Sequence, residues 1–205
     1  MGHLRVLVLA LGLLVPVPAT YAQEAPTRPG PWVLDVRGVT LSLPVAAGFV
    51  PPVPNGTPLP SRGFGGEFGV RWYGPNWGTA RLGVGAGWTW ARGTTSEVGL
   101  VPRVQEVFTS IAPEVSANFG TAAGWSYASL GAGTARTNTV SVLKGVTSEP
   151  AATGRVLDIH AGAGARWFTS DHLAVGFDVR LHRLAAGEAT PSTTRFVLSA
   201  GLSLR

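Results

Sequence analysis

Residues 155–184 read RVLDIHAGAGARWFTSDHLAVGFDVRLHRL. In the first half Leu157, Ile159, Ala161, Ala163, Ala165 and Trp167 alternate with Asp158, His160, Gly162, Gly164 and Arg166. In the second half Leu173, Val175, Phe177, Val179 and Leu181 alternate with Ala174, Gly176, Asp178, Arg180 and His182. A period of two puts each set on one face of a strand, and the few residues between the halves turn the chain back. The stretch is a hairpin with one apolar face and one face that mixes glycine with ions of both signs. Wrapped around a closed sheet, such strands make a barrel with lipid outside and a polar lumen.

Working outward, the same alternation recurs. Trp32–Leu43 is the first strand, with Val33, Asp35 and Arg37 on one face; the apolar set Val39, Leu41 and Leu43 predicts a phase shift at a glycine bulge near Gly38. Residues 44–61 hold six prolines and form a loop rather than a ladder strand. Strand two (62–73) sets Phe64, Phe68, Val70 and Trp72 against Gly65, Glu67, Gly69 and Arg71. Strand three (79–91) sets Leu82, Val84, Ala86, Trp88 and Trp90 against Arg81 and glycines, and 92–103 is a second loop. Strand four (104–119) contains Pro113, and strand five (125–136) has side chains too small to fix its phase. Residues 137–154 are a third loop, the opening hairpin supplies strands six and seven, 185–193 is a fourth loop, and strand eight (194–205) ends the chain. Eight strands joined alternately by long and short connections predict an all-β, eight-stranded, antiparallel up-and-down transmembrane β-barrel.

Composition agrees. Only 13% of residues are charged, against about 25% in ordinary soluble domains. The apolar run Val6–Val15, followed by Ala19–Ala22, reads as a signal peptide over 1–22, with 23–31 a short lead and 32–205 the barrel. Past it, no stretch of about 18 apolar residues remains, so any membrane span must be made of strands. The chain has no cysteine, which excludes disulfides and thiolate metal sites. The net charge of +5 comes from arginines scattered singly through alternating runs, not from a basic cluster, so nucleic acid is not an expected partner.

Aromatic residues sort by strand end. Trp32, Trp72, Tyr73, Trp77, Phe119, Trp125, Trp167 and Phe168 fall near short turns, and Phe64, Trp88, Trp90, Phe108 and Phe196 near long loops. Two such bands suit two membrane–water interfaces. In these patterns (LGVGAGWTW, IHAGAGARW, FVLSAGLSL) the chain resembles the small eight-stranded outer-membrane barrels of the OmpA/OmpX type, over about Pro31 to Arg205. The resemblance implies residence in the cell outer membrane, contact with outer-membrane lipid and lipopolysaccharide, and insertion by the barrel-assembly machinery. It also implies recognition of an extracellular partner through loops 44–61, 92–103, 137–154 and 185–193. Members usually end on an aromatic residue, whereas this chain ends Leu204-Arg205.

The candidate site is the lumen. With Ser170 at the turn centre, Asp158 faces His182, His160 faces Arg180 and Gly162 faces Asp178. Together with Arg166, Glu67 and Arg71, and with Asp35, Arg37, Arg81, Glu114 and Arg195, these residues fill the interior with ions of both signs. An eight-stranded barrel is only wide enough for its own side chains, so the expected role of this cluster is structural. A lipid-modifying hydrolase or acyltransferase, precedented among small outer-membrane barrels, is the alternative; it would use Asp158 and His182 as orienter and base for a serine, but there is no Gly-x-Ser-x-Gly motif and the nearest serines, Ser192 and Ser199, sit in unremarkable context. Metal binding by Asp158, His160 and His182 is disfavoured by Arg180 facing His160. The expectation is therefore no enzyme, no cofactor and no metal. The remaining alternative is a soluble periplasmic lipocalin-like barrel, with the apolar face turned inward.

Overall fold

The computed structural model describes residues 31–43, 57–77, 79–121, 123–187 and 191–205. The expected signal peptide, nearly all of the lead and most of the proline-rich loop lie outside the described residues. In chain order the strands are β1 (Trp32–Ser42), β2 (Arg62–Trp77), β3 (Ala80–Thr94), β4 (Arg103–Thr121), β5 (Gly124–Leu143), β6 (Val146–Thr147), β7 (Ala151–Ala152), β8 (Val156–Phe168), β9 (Leu173–Leu184) and β10 (Thr193–Leu204). Eight of them form the barrel. Each pairs antiparallel with the next, β5 skips to β8, and β10 returns to β1, which closes the sheet.

The alternation decides which face points where. Asp35, Glu67, Arg71, Glu114, Asp158, Arg166, Asp178 and Arg180 are buried inside, while Leu34, Phe68, Val84, Ile111, Leu130, Ile159 and Phe177 are exposed outside. A water-soluble barrel has the opposite arrangement, and an apolar exterior over a charged interior is stable only with lipid around it. The chain is a transmembrane β-barrel.

Several local expectations are corrected. The β1 ladder runs without interruption from Trp32↔Trp72 to Ser42↔Arg62, so there is no bulge at Gly38. Val39 and Leu41 point inward with Asp35 and Arg37, because the lumen itself changes from ionic to apolar along its length. The β8–β9 hairpin pairs two residues out from the expected register: His160 faces His182, Gly162 faces Arg180 and Gly164 faces Asp178. Its turn spans four residues, closed by Thr169 N–H donating to Leu173 O at 2.9 Å. A slip of two keeps every side chain on its face but changes its neighbour.

The strands are also longer than the alternation suggests. β2 runs on to Trp77 through an irregularity between Tyr73 and Asn76, and β3 continues to Thr94. The presumed loop 137–154 is mostly ladder: β5 reaches Leu143, hairpins onto β6 and also pairs β7. Pro113 is tolerated inside β4. The ladder to β5 skips from Ile111↔Thr134 to Glu114↔Gly131, where its missing N–H would have bonded. Finally, four residues of the aromatic bands face inward. Tyr73, Trp125 and Phe168 stack in the lumen near the short turns, and Phe108 is buried near the long connections. Trp32, Trp72, Trp77, Phe119 and Trp167 at one end, and Phe64, Trp88, Trp90 and Phe196 at the other, remain outward.

Space for the interior comes from glycine. Arg71 lies opposite Gly85, Tyr127 opposite Gly164, His160 opposite Gly131 and Arg180 opposite Gly162. A Cβ at any of these glycines would collide with the large side chain across from it. One strand's gap thus houses its neighbour's side chain, as a narrow barrel requires.

Candidate functional site

The lumen is built in layers. At the short-turn end Tyr73 and Trp125 meet edge to face at 4.9 Å between centroids, and Trp125 meets Phe168 likewise at 5.2 Å. The Arg205 guanidinium lies 4.4 Å over the Phe168 ring, and that of half-buried Arg81 lies 5.9 Å over Trp125. These contacts cover the floor.

Above it sits an ionic network centred on Asp35. This carboxylate accepts from Arg37 at 3.1 Å, from Arg166 at 2.7 Å, and from Arg71 and Ser203. Arg37 also donates to the Tyr127 hydroxyl at 2.9 Å, which in turn donates to Asp178 at 2.7 Å. Arg180 bridges Asp178 and Glu67, each at 2.8 Å. Arg71 donates to Glu114, and Arg166 to the Tyr73 hydroxyl. Every arginine here has a carboxylate, so each charge taken out of water has a partner.

Next comes a smaller cluster. His182 Nδ1–H donates to Asp158 Oδ2 at 2.9 Å, and the Ser110 hydroxyl donates to the same oxygen at 2.6 Å. The His160 and His182 rings lie 4.7 Å apart, and His160 Nε2 is 3.8 Å from Glu114 Oε2. Over this cluster an apolar layer of Val39, Leu41, Leu43, Ala91, Phe108, Ala135, Leu184 and Val197 closes the interior. Phe108 meets His182 edge-on, and Arg195 reaches Glu106 at 2.9 Å with its guanidinium over the Phe108 ring.

All eight residues of the expected cluster are therefore buried in the lumen, divided between two groups. Glu67, Arg71, Arg166, Asp178 and Arg180 belong to the network; Asp158, His160 and His182 stand apart beside it. Sequence reasoning missed Tyr73, Ser110, Tyr127 and Ser203. The signal for Tyr127 was available: it shares parity with Ser129, and Gly164 marks the gap it fills. The geometry also bears on nucleophilic chemistry. Ser110 spends its hydroxyl on Asp158, Ser192 accepts from exposed Arg183, and His182 Nε2 has no hydrogen-bond partner among the described residues.

No protein-family model matches the sequence, and no curated protein is significantly similar to it. Solved structures do match. Neisserial surface protein A superposes with a TM-score of 0.54 at 12% identity, over 85% of this chain and 97% of that one. Ail, the attachment invasion locus protein of Yersinia pestis, in complex with the heparin analogue sucrose octasulfate, gives 0.50 at 12% identity, over 84% and 96%. The likeness is one of fold: this chain is built like the small eight-stranded outer-membrane barrels.

Proposed function

We propose that this protein is an outer-membrane barrel that works through its exterior, in membrane integrity or in surface contact by its extracellular connections, and that it neither conducts solutes nor catalyses a reaction. The observation that carries the reading is the filled lumen: an aromatic floor, a paired ionic network and an apolar layer succeed one another along its length. The exterior supports it. Arg62, Arg92, Arg136, Arg155 and Arg183 are all exposed at the long-connection ends, and Arg62, Arg92 and Arg183 lie two residues beyond outward Phe64, Trp90 and Leu181. That belt suits the phosphates of lipopolysaccharide at the outer leaflet. Beyond it β3, β4 and β5 rise further, with Val98, Leu100 and Val146 exposed at their tips. Those tips offer a surface to an extracellular partner.

Two measurements test the reading. The outer-membrane fraction should contain a species whose gel mobility changes on boiling, and the purified protein should add no steps of conductance to a planar bilayer. Recovery in the soluble periplasm, or discrete single-channel steps, would refute it.

A further inference from the structure

We infer that Asp158, His160 and His182 form a buried binding site for one divalent transition-metal ion of the zinc type. Each side chain offers a ligand atom, and these atoms lie within 4.8 Å of one another. Ligands around ~2.0–2.2 Å from a zinc ion sit at most ~4.4 Å apart, so a small rotation of one ring completes the set. His160 is the ring free to make it. Among the described residues, both its nitrogens are buried without a hydrogen-bond partner, as is His182 Nε2. Three imidazole nitrogens without a partner, gathered beside one carboxylate, are a donor set that an ion would satisfy.

Three further observations agree. Gly131 opposite His160 leaves a slot that a Cβ would fill with a clash against the imidazole, so the strand is built around that ring. The second is charge. Of the lumen carboxylates, Asp35, Glu67, Glu106, Glu114 and Asp178 each have an arginine nitrogen within 4.0 Å, whereas Asp158 has His182 and the Ser110 hydroxyl but no arginine among the described residues. A buried carboxylate without a cation is costly, and a metal ion supplies one. The third is support around the ligands: Ser110 fixes Asp158, and Glu114 stands next to His160 as the nearest further oxygen donor. Arg180 does not oppose the ion, because it sits across from Gly162 and spends its charge on Glu67 and Asp178. The neighbouring Arg195 is likewise taken by Glu106. Nitrogen–nitrogen–oxygen donors select zinc and its neighbours over calcium or magnesium.

The apolar layer above and the ionic network below close this site, as in structural metal centres. The ion must therefore enter while the barrel folds. The test is to refold the full chain from denaturant into detergent with zinc or with chelator, desalt it, and measure bound metal. The wild type refolded with zinc should retain one ion per chain, and refolding with cobalt should give the visible absorption of a four-coordinate site. His160→Gln should retain none. Ser110→Ala, a small change beside the ligands, should weaken retention against a competing chelator about tenfold while keeping the heat-dependent gel shift. Wild-type protein that retains no more zinc than His160→Gln, or that shows no cobalt absorption, overturns the inference. Should His160→Gln fail to fold, the cobalt spectrum and Ser110→Ala decide alone.

Discussion

Asp35 shows what a single buried charge does in this barrel. Three arginines and Ser203 converge on its carboxylate. Without it, Arg37 keeps Asp178 and Tyr127, and Arg71 keeps Glu114. Among the described residues Arg166 keeps the Tyr73 hydroxyl and the face of the Tyr127 ring, and so becomes a buried guanidinium with no carboxylate. Breaking a buried pair from one side costs about 3–5 kcal/mol. We expect that loss for Asp35→Asn, read as a fall in the urea midpoint of unfolding from lipid vesicles. Asp171→Asn should lower the unfolding free energy by less than ~0.5 kcal/mol, because that carboxylate is exposed and lies 3.9 Å from Arg205. At this scale the sequence was half legible. Parity alone put Asp35, Arg37, Glu67 and Arg71 inside, since a period of two has only two faces to choose from. Their partners were hidden, because side chains cross the lumen: Asp35 meets Arg166, 131 positions away, through no pattern that either strand carries.

Strands record their face in the sequence but not their length or register. The β8–β9 hairpin illustrates this: alternation is unchanged by a slip of two, so the four-residue turn and the His160↔His182 pair could not be read from it. β5 illustrates it differently. Its outer part, Thr137–Leu143, is mostly polar, with only Val140 and Val142 set against Thr139 and Ser141, so strand read as loop. What the sequence did carry there was the turn. Lys144 and Gly145 both have positive φ, at 49° and 80°, and join Leu143 to Val146 in the two-residue geometry that favours glycine second. Gly145→Ala would place a Cβ in the left-handed region at a cost of about 1 kcal/mol. The hairpin should open about fivefold more often, and trypsin should cut at Lys144 correspondingly faster. The barrel's heat-dependent gel shift should not change. Equal cleavage rates would mean that the tip is not held by this turn.

For the whole molecule, the lipid-facing exterior follows from one pattern repeated around the sheet that β10 closes onto β1: each strand turns apolar side chains outward and most of its polar ones inward. Layering inside the lumen is invisible to that rule, which is why inward Val39 and Leu41 mimicked a phase shift and inward Tyr73, Trp125 and Phe108 were counted with the outer aromatics. The rule itself makes a prediction that separates the two possible solvents. Leu130 is exposed near the middle of the outer belt, opposite Val115 on one side and Ala161 on the other. If water bathed this face, Leu130→Arg would change stability by no more than about 0.5 kcal/mol, as most surface substitutions do. In lipid, an arginine at the bilayer midplane costs roughly 2–4 kcal/mol, falling to about 0–1 near the interfaces. Leu181 lies on the same face two residues before Arg183, near the long-connection boundary. We therefore expect Leu130→Arg to lower the unfolding free energy in vesicles by ~2–4 kcal/mol and Leu181→Arg by ~1 kcal/mol or less. The difference between the two sites, more than either value, carries the conclusion. A folding defect common to any buried arginine would strike both alike, whereas a depth gradient can come only from a hydrocarbon layer centred on Leu130.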